Sequence, residues 1–186
     1  MINTNFLPFP ELETATLRMR RLNQKDLQQI FLLRSDDKVM QYIDRKKAET
    51  MKEAEDFFNL VDDALVKGDG IIWGIECKDQ PGLMIGYVCY WRLLKEHFRA
   101  EIGYALLPEF WNKGFMKEVL TEIIKFGYDK MKLHSIEARI NPANKFSAAL
   151  LKSSGFIREA YFKEDYFFNG SFGDTEVYSR LQGTST

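Results

Sequence analysis

Residues 100–120 read Ala100-Glu-Ile-Gly-Tyr-Ala-Leu-Leu-Pro-Glu-Phe-Trp-Asn-Lys-Gly-Phe-Met-Lys-Glu-Val-Leu120, a strand, a tight turn and the start of a helix that runs on to about Met131. Over residues 100–107 the side chains alternate, with Ile102, Tyr104 and Leu106 on one face and Glu101, Gly103 and Ala105 on the other, the period of two expected of a strand. One face is bulky; the other is bare except for a carboxylate. Pro108 removes a ladder donor and stops the strand, and Asn112-Lys113-Gly114 supplies residues suited to a turn before a helix. Met116, Val119, Leu120, Ile123, Ile124, Gly127 and Met131 then form one stripe at helical spacing, so this helix packs on a sheet. A helix that begins after a glycine turn points unpaired N–H groups and the positive end of its dipole outward, an arrangement that accepts phosphate. The alternative is a plain strand-to-helix connection. Neither a Walker loop nor a three-glycine dinucleotide signature is present.

Working outward, residues 135–140 form the next strand, and a strand–helix–strand unit favours a parallel pairing with a right-handed crossover. Upstream, residues 71–77 and 83–93 are joined through a Pro81-Gly82 turn and read as an antiparallel hairpin. Downstream, residues 156–168 and 172–181 flank Asn169-Gly170, the strongest hairpin signal in the chain, with their aromatics expected on a packing face. Between these hairpins, Asn144 starts a short helix carrying Phe146, Ala149 and Leu150 up to Gly155, and Gly183 to Thr186 is expected to fray. At the other end, residues 16–22 read as a first strand, and Asn23 caps a first helix built on Leu27, Ile30 and Phe31. A short second helical turn holds Val39, Met40, Tyr42 and Ile43. Thr50-Met-Lys-Glu53 is a capping box for a third helix, which Gly68 closes. The pattern predicts one domain of mixed α+β class over residues 1–186, a central, mostly antiparallel sheet flanked by helices.

Composition narrows the function. With 26 basic and 27 acidic residues the net charge is −1, which argues against general nucleic-acid binding, since that needs a basic surface to displace counterions. Two cysteines, Cys77 and Cys89, on separate strands are most simply reduced thiols, and two histidines, His97 and His134, outside any close ligand cluster give no reason to expect a metal. There is no basic leader into an apolar run and no stretch of 18 apolar residues, so a cytoplasmic protein without a membrane partner is expected, as a monomer or homodimer.

The spaced residues Glu101-Ile-Gly-Tyr104, Pro108, Trp111-x-Lys-Gly-Phe-Met-x-Glu118, Asn144-x-x-Ser147-x-x-Leu150-Leu151 and Gly155-Phe156 resemble the GNAT superfamily of acyl-CoA-dependent N-acetyltransferases. More narrowly they resemble its ribosomal-protein-alanine acetyltransferase branch. Leu12-Glu-Thr-x-x-Leu17-x-x-Arg20-x-Leu22, Asn169-Gly170 and Asp174 fit in order, so the resemblance spans about residues 12–181. It implies the GNAT fold, with acetyl-CoA as co-substrate lying between two splayed parallel strands, here residues 100–107 and 135–140. It also implies cofactor contacts from Leu106 and Leu107, from the turn Trp111, Asn112, Lys113, Gly114, Phe115 and Met116, and from Asn144 and Ser147. The turn departs from the family pattern at Asn112 and at Met116, which is expected to narrow the approach. Because main-chain groups hold the phosphates, these changes should alter affinity more than abolish binding.

Acetyl transfer needs a base for the attacking amine, a polarised carbonyl and an acid for the departing thiolate. Glu101, facing the cleft, is the candidate base, directly or through water; the alternative is a salt bridge with Arg99 or Arg139. A backbone amide near residues 105–107 is implied as the carbonyl's partner. Many family members place a tyrosine acid where this chain has Leu151, and Ser147 matches the serine that the branch uses instead. Ser147 as a back-bonded helix hydroxyl and Asn144 as an N-cap are the alternatives. Tyr42 and Arg99, with Glu101, are candidate acceptor contacts, a packed aromatic and a solvated loop being the other readings. The implied reaction is direct attack in a ternary complex, with a protein or peptide N-terminal α-amine as acceptor. The alternatives are a small-molecule amine or a silent acyl-CoA binder.

Overall fold

A strand covered on both faces reads as an unbroken apolar run, and Ile-Ile-Trp-Gly-Ile-Glu-Cys is buried at every position. In the computed structural model, which describes residues 1–183, this strand, β3 (Ile71–Cys77), lies within an eight-stranded sheet. The other strands are β1 (Leu12–Glu13), β2 (Leu17–Arg20), β4 (Met84–Leu94), β5 (Arg99–Leu106), β6 (Ser135–Ile140), β7 (Ile157–Phe168) and β8 (Ser171–Leu181). Their order is β1-β2-β3-β4-β5-β6-β8-β7, and every neighbouring pair is antiparallel except β5–β6. The two-residue β1 was not legible in the sequence. The residues expected to fray beyond Gly183 fall outside those described.

The helices are α1 (Leu27–Ser35), α2 (Asp37–Met40), α3 (Met51–Lys67), α4 (Phe115–Asp129) and α5 (Lys145–Ser153). Helix α3 begins at the expected capping box of Thr50 and Glu53 and ends at Gly68, whose φ of 67° is the left-handed conformation that only glycine adopts cheaply. Helix α4 covers one face of the sheet. Its Val119, Leu120 and Ile123 are buried against Trp73 and Tyr90, and Phe126 meets Trp73 edge to face at 5.2 Å. The Tyr90 hydroxyl, inside this core, donates to the Ile123 carbonyl at 2.9 Å. Helices α1 and α3 cover the opposite face, where Ile30, Leu33, Phe57 and Val61 pack on Ile72, Met84 and Cys89. The alternation of β5 thus divides its side chains between two separately covered faces, Ile102 and Leu106 under α4, Ala105 on the α1–α3 side.

Three expectations are corrected by packing. In α5 the buried residues are Ser147, Ala148 and Leu151, while Phe146 is 78% exposed. The Asn144 cap sets the helical phase, and Leu151, not Leu150, anchors it in the core. The hairpin aromatics Tyr161, Phe162, Phe167 and Phe172 stand out in solvent, because β7 is an edge strand and this hairpin runs beyond the cover of the helices. Met116 points into the core, so its side chain does not narrow the approach to the turn.

Gly86 on β4 sits where a Cβ would lie 2.3 Å from the Ala105 carbonyl oxygen and 2.5 Å from Leu106 Cδ2. The obstacle is backbone of the neighbouring strand and cannot rotate away. Gly86→Ala is therefore expected to cost about 1–3 kcal/mol in urea unfolding, the usual range for overpacking; an unchanged midpoint would show that β4 and β5 separate freely there.

Candidate active site

The parallel ladder between β5 and β6 consists of three pairs, Arg99↔Ser135, Ala100↔Ile136 and Glu101↔Glu137. Beyond Glu101 the strands part, since β5 stays registered on β4 as far as Leu106 while β6 stays registered on β8 through Ile140. The result is a wedge with one backbone edge exposed on β5. Leu107 donates its amide to the Ile85 carbonyl on β4 at 2.9 Å. Antiparallel alternation therefore turns the amides of Ala105 and Leu107 toward β4, and those of Tyr104 and Leu106 into the wedge. Of the segment expected to polarise a carbonyl, Leu106 is the residue whose N–H is directed there. The side chains of Leu106 and Leu107 are buried, so only their backbone can meet a ligand.

At the wide end of the wedge the chain turns into α4. Trp111 donates its indole N–H to the Leu106 carbonyl at 2.7 Å, closing the strand end. Asn112 and Gly114 both take left-handed φ values, 58° and 80°, and nothing lies within 4 Å of where a Gly114 Cβ would be. Lys113 stacks its ammonium over Phe110 at 5.2 Å. The first intrahelical bond runs from the Glu118 amide to the Gly114 carbonyl, so by helix geometry the preceding amides of Phe115 and Met116 have no intrahelical acceptor. Glu118 also accepts from the Thr16 amide at 2.9 Å, tying this helix start to β2. An open backbone cradle at the positive end of a 15-residue helix fits a pyrophosphate.

At the narrow end lies Glu101, whose carboxyl is 17% exposed. Its partner is neither Arg99 nor Arg139 but Arg92, which donates to Oε2 at 3.0 Å. Arg92 occupies a β-bulge between Trp91 and Leu94 and has a φ of 48°; the bulge swings its guanidinium toward Glu101. The second carboxylate oxygen has no hydrogen-bond partner among the described residues. Arg99 and Arg139 pair instead with Glu137, and Arg139 also with Asp165 at 2.9 Å. These groups line a cleft of about 240 Å³ that includes Arg92, Arg99, Glu101, Glu137 and Arg139. The bare face at Gly103 is not open, since a Cβ there would lie 3.0 Å from Cys89 Sγ and 3.3 Å from Trp91 Nε1. Trp91 fills it. Tyr42 is half-buried and hydrogen-bonds to none of the other candidates.

On the β6 side of the wedge, α5 delivers Ser147. Asn144 is the N-cap, its Oδ1 accepting from the Ser147 amide at 3.0 Å, which leaves its amide nitrogen for other partners. The Ser147 hydroxyl does not bond back along the helix; it shares a 2.8 Å hydrogen bond with the hydroxyl of Tyr104. Burial pushes the Tyr104 phenol up to about 12, against the smaller opposing effect of that bond, so it stays protonated at neutral pH. Tyr104, Arg92 and Glu137 are site groups that the sequence reading missed. A polar tip between Ile102 and Leu106 was the only signal for Tyr104; nothing local marked the bulge at Arg92.

Known proteins share the sequence pattern and the fold of this chain. The acetyltransferase (GNAT) domain model matches residues 16–157. The uncharacterized N-acetyltransferase YoaA of Bacillus subtilis is 34% identical over 171 residues, 92% of this chain and 96% of that protein. The crystal structure of spermidine N-acetyltransferase from Vibrio cholerae in complex with CoA and spermine aligns with a TM-score of 0.79 at 24% identity, covering 89% of this chain and 95% of that one. RimL, a ribosomal L7/L12 α-N-protein acetyltransferase in complex with coenzyme A, aligns with a TM-score of 0.81 at 17% identity over 92% and 98%.

Proposed function

The chain belongs to the GNAT acetyltransferase family and is an acetyl-CoA-dependent N-acetyltransferase; from that premise we propose that it acetylates the N-terminal α-amine of a protein or peptide by direct attack in a ternary complex. In this reading the pyrophosphate rests on the amides of the Trp111–Met116 turn, Asn144 reaches the cofactor through its free amide nitrogen, and the thioester lies along the β5 edge of the wedge. The observation that carries the catalytic reading is Glu101. Its carboxylate stands where the strands part, with one oxygen held by Arg92 and the other unpartnered.

The chemistry follows from these positions. The free oxygen of Glu101 takes a proton from the acceptor ammonium, directly or through one water, leaving a neutral amine to attack the thioester carbonyl. The Leu106 N–H is directed into the wedge and donates to the oxygen that gains charge. When the tetrahedral species collapses, the C–S bond breaks, the thiolate leaves with its electron pair, and the proton remaining on the former amine nitrogen passes, directly or through water, to that thiolate. Ser147 donates to that sulfur, and Tyr104, holding its own proton, donates to Ser147 Oγ and fixes the direction of the serine O–H. An α-amine titrates near ~8 and a lysine side chain near ~10, so a single carboxylate base suits the α-amine better.

The test is thiol release from acetyl-CoA against free N-terminal peptides, polyamines and aminoglycosides, with calorimetric acetyl-CoA binding as control. Release with peptides alone is expected; release with polyamines alone would replace the acceptor assignment, and binding without any release would favour a silent acyl-CoA binder. For the leaving group, Ser147→Ala is expected to lower kcat roughly 10- to 100-fold, as loss of a hydrogen bond to a charged atom does, with acetyl-CoA affinity retained. Tyr104→Phe, which leaves the serine in place but unoriented, should cost about 2- to 10-fold. Equal kcat in wild type and Ser147→Ala would remove the serine from the reaction.

A further inference from the structure

Behind Trp91, on the α1–α3 side of the sheet, a second cavity of about 380 Å³ is lined by Arg34, Arg45, Lys46, Glu53, Asp56 and Phe57. Its charges do not cancel. Glu53 is committed to the start of α3, accepting from the amides of Glu49 and Thr50 at 2.7 and 2.9 Å. Asp56 pairs with Lys52 at 2.9 Å, and Lys46 with Glu49 at 3.2 Å. Three cations thus face two carboxylates, and Glu53 attracts Arg34 without forming an ion pair with it. Arg34 stacks on Phe57 at 4.3 Å, and Arg45 on Trp91 at 4.9 Å, and neither has a carboxylate partner among the described residues. The Nε atom of Arg34 is buried with no hydrogen-bond partner among the described residues.

A guanidinium over an aromatic ring is attracted to the ring face without spending an N–H donor, which leaves its donors for a carboxylate. Arg34 and Arg45 are both held in this way. The connection to the active site is Trp91, which stands opposite Glu101 in the β4–β5 register and lays its indole over Gly103. Arg45 over that indole and Glu101 across the ladder from it thus both border Trp91. Burial, reinforced by Arg45, pulls the Arg34 guanidinium below its ordinary range, and an anion arriving between the two would relieve that cost.

Resting on the acceptor reading given above, we propose that Arg34 and Arg45 form a carboxylate clamp that selects acceptors whose residues after the N-terminus are acidic. The amine lies at Glu101 and the acidic side chain reaches past Trp91 to the two guanidiniums. Selection of this kind acts on acceptor affinity and leaves the cofactor untouched.

The test is calorimetry on the full chain saturated with CoA, so that binding is read without turnover. The probes are Ala-Glu-Asp-Ala-Ser, its neutral counterpart Ala-Gln-Asn-Ala-Ser, and a phosphoserine peptide. The acidic peptide is expected to bind about 10-fold tighter than the neutral one, a charge-assisted bidentate contact being worth at least that. Arg45→Gln and Arg34→Gln should each erase most of the preference, and Arg45→Glu should shift it toward a lysine-bearing peptide. Arg45 is exposed, so its variants test the clamp even if Arg34→Gln does not fold. Equal affinities for acidic and neutral peptides, or a preference that survives Arg45→Gln, would overturn the proposal. So would a fall in acetyl-CoA affinity, which would assign the pair to cofactor phosphates, or tighter binding of the phosphopeptide than of the acidic one. Failure of thiol release with every amine would instead sink the transfer reading, while the binding preference could still be measured.

Discussion

Glu101→Gln is expected to lower kcat by about 10²- to 10⁴-fold with a peptide acceptor, the range that a positioned general base supplies. The substitution keeps the shape and one acceptor oxygen but removes the group that takes the amine's proton. Calorimetric acetyl-CoA affinity should be unchanged, since Glu101 lies at the narrow end of the wedge, away from the phosphate turn. The loss should shrink as pH rises toward the acceptor amine's own titration near ~8, because more substrate then arrives neutral. That dependence separates a base from a structural carboxylate. A loss below about 5-fold, or one that stays flat with pH, would show that the pair with Arg92 is structural and that water alone removes the proton.

The largest expected effect on stability is at Arg20. Its side chain is 12% exposed and lies between Asp26 and Glu76, whose side chains are 1% and 6% exposed. It grips Asp26 bidentately, two bonds of 2.8 Å, and donates Nε–H to Glu76 at 2.6 Å. Asp26 in turn accepts from the Asn23 amide at 2.8 Å, and Glu76 from the Gly82 amide at 3.2 Å, so one guanidinium fastens β2, the first helical turn and the β3–β4 hairpin together. Arg20→Met would leave two carboxylates buried without a cation, and a loss of about 3–5 kcal/mol is expected in urea unfolding. Combining it with Asp26→Asn and Glu76→Gln should recover most of that loss, since the cost comes from stranded charge. A loss under about 1 kcal/mol for Arg20→Met would show that water reaches the pair, and that the clamp is a surface ion pair in effect.

Arg20 also shows how much of this protein could be read from its residues. It counted toward the family resemblance, but nothing in Leu17-Arg-Met-Arg20 tells which arginine is covered; Arg18 remains exposed with Glu11 while Arg20 is half-buried with Asp26 and Glu76. Features set by local backbone chemistry were legible. Thr50 and Glu53 cap α3, Asn23 caps the first turn, Gly114 opens α4, and Asn169-Gly170 turns the last hairpin. Features decided by which element covers which face were not. Phe146, Phe162, Phe167 and Phe172 have core-like chemistry and still face solvent. Glu101 was legible because one carboxylate stood on an otherwise bare strand face. Its partner was not, since Arg92 reaches it through a bulge, and the Tyr104–Ser147 bond joins residues 43 positions apart.

The three-pair joint between β5 and β6 means that the molecule carries two backbone ladders, one running from β1 to β5 and the other through β6, β8 and β7, with α4 as their common spine. Most hydrogen bonds of each ladder are internal to it. Acceptor selection in the proposal above draws on the first panel and its helices, whereas Ser147, proposed for the leaving group, is carried by α5, beside the second. A panel can therefore drift in sequence, lengthen its hairpin or change its surface without redrawing the other, so long as the short seam holds Glu101 level with Glu137. Such a construction lets the β6–β8–β7 panel change under mutation while β5 and the turn that follows it are kept.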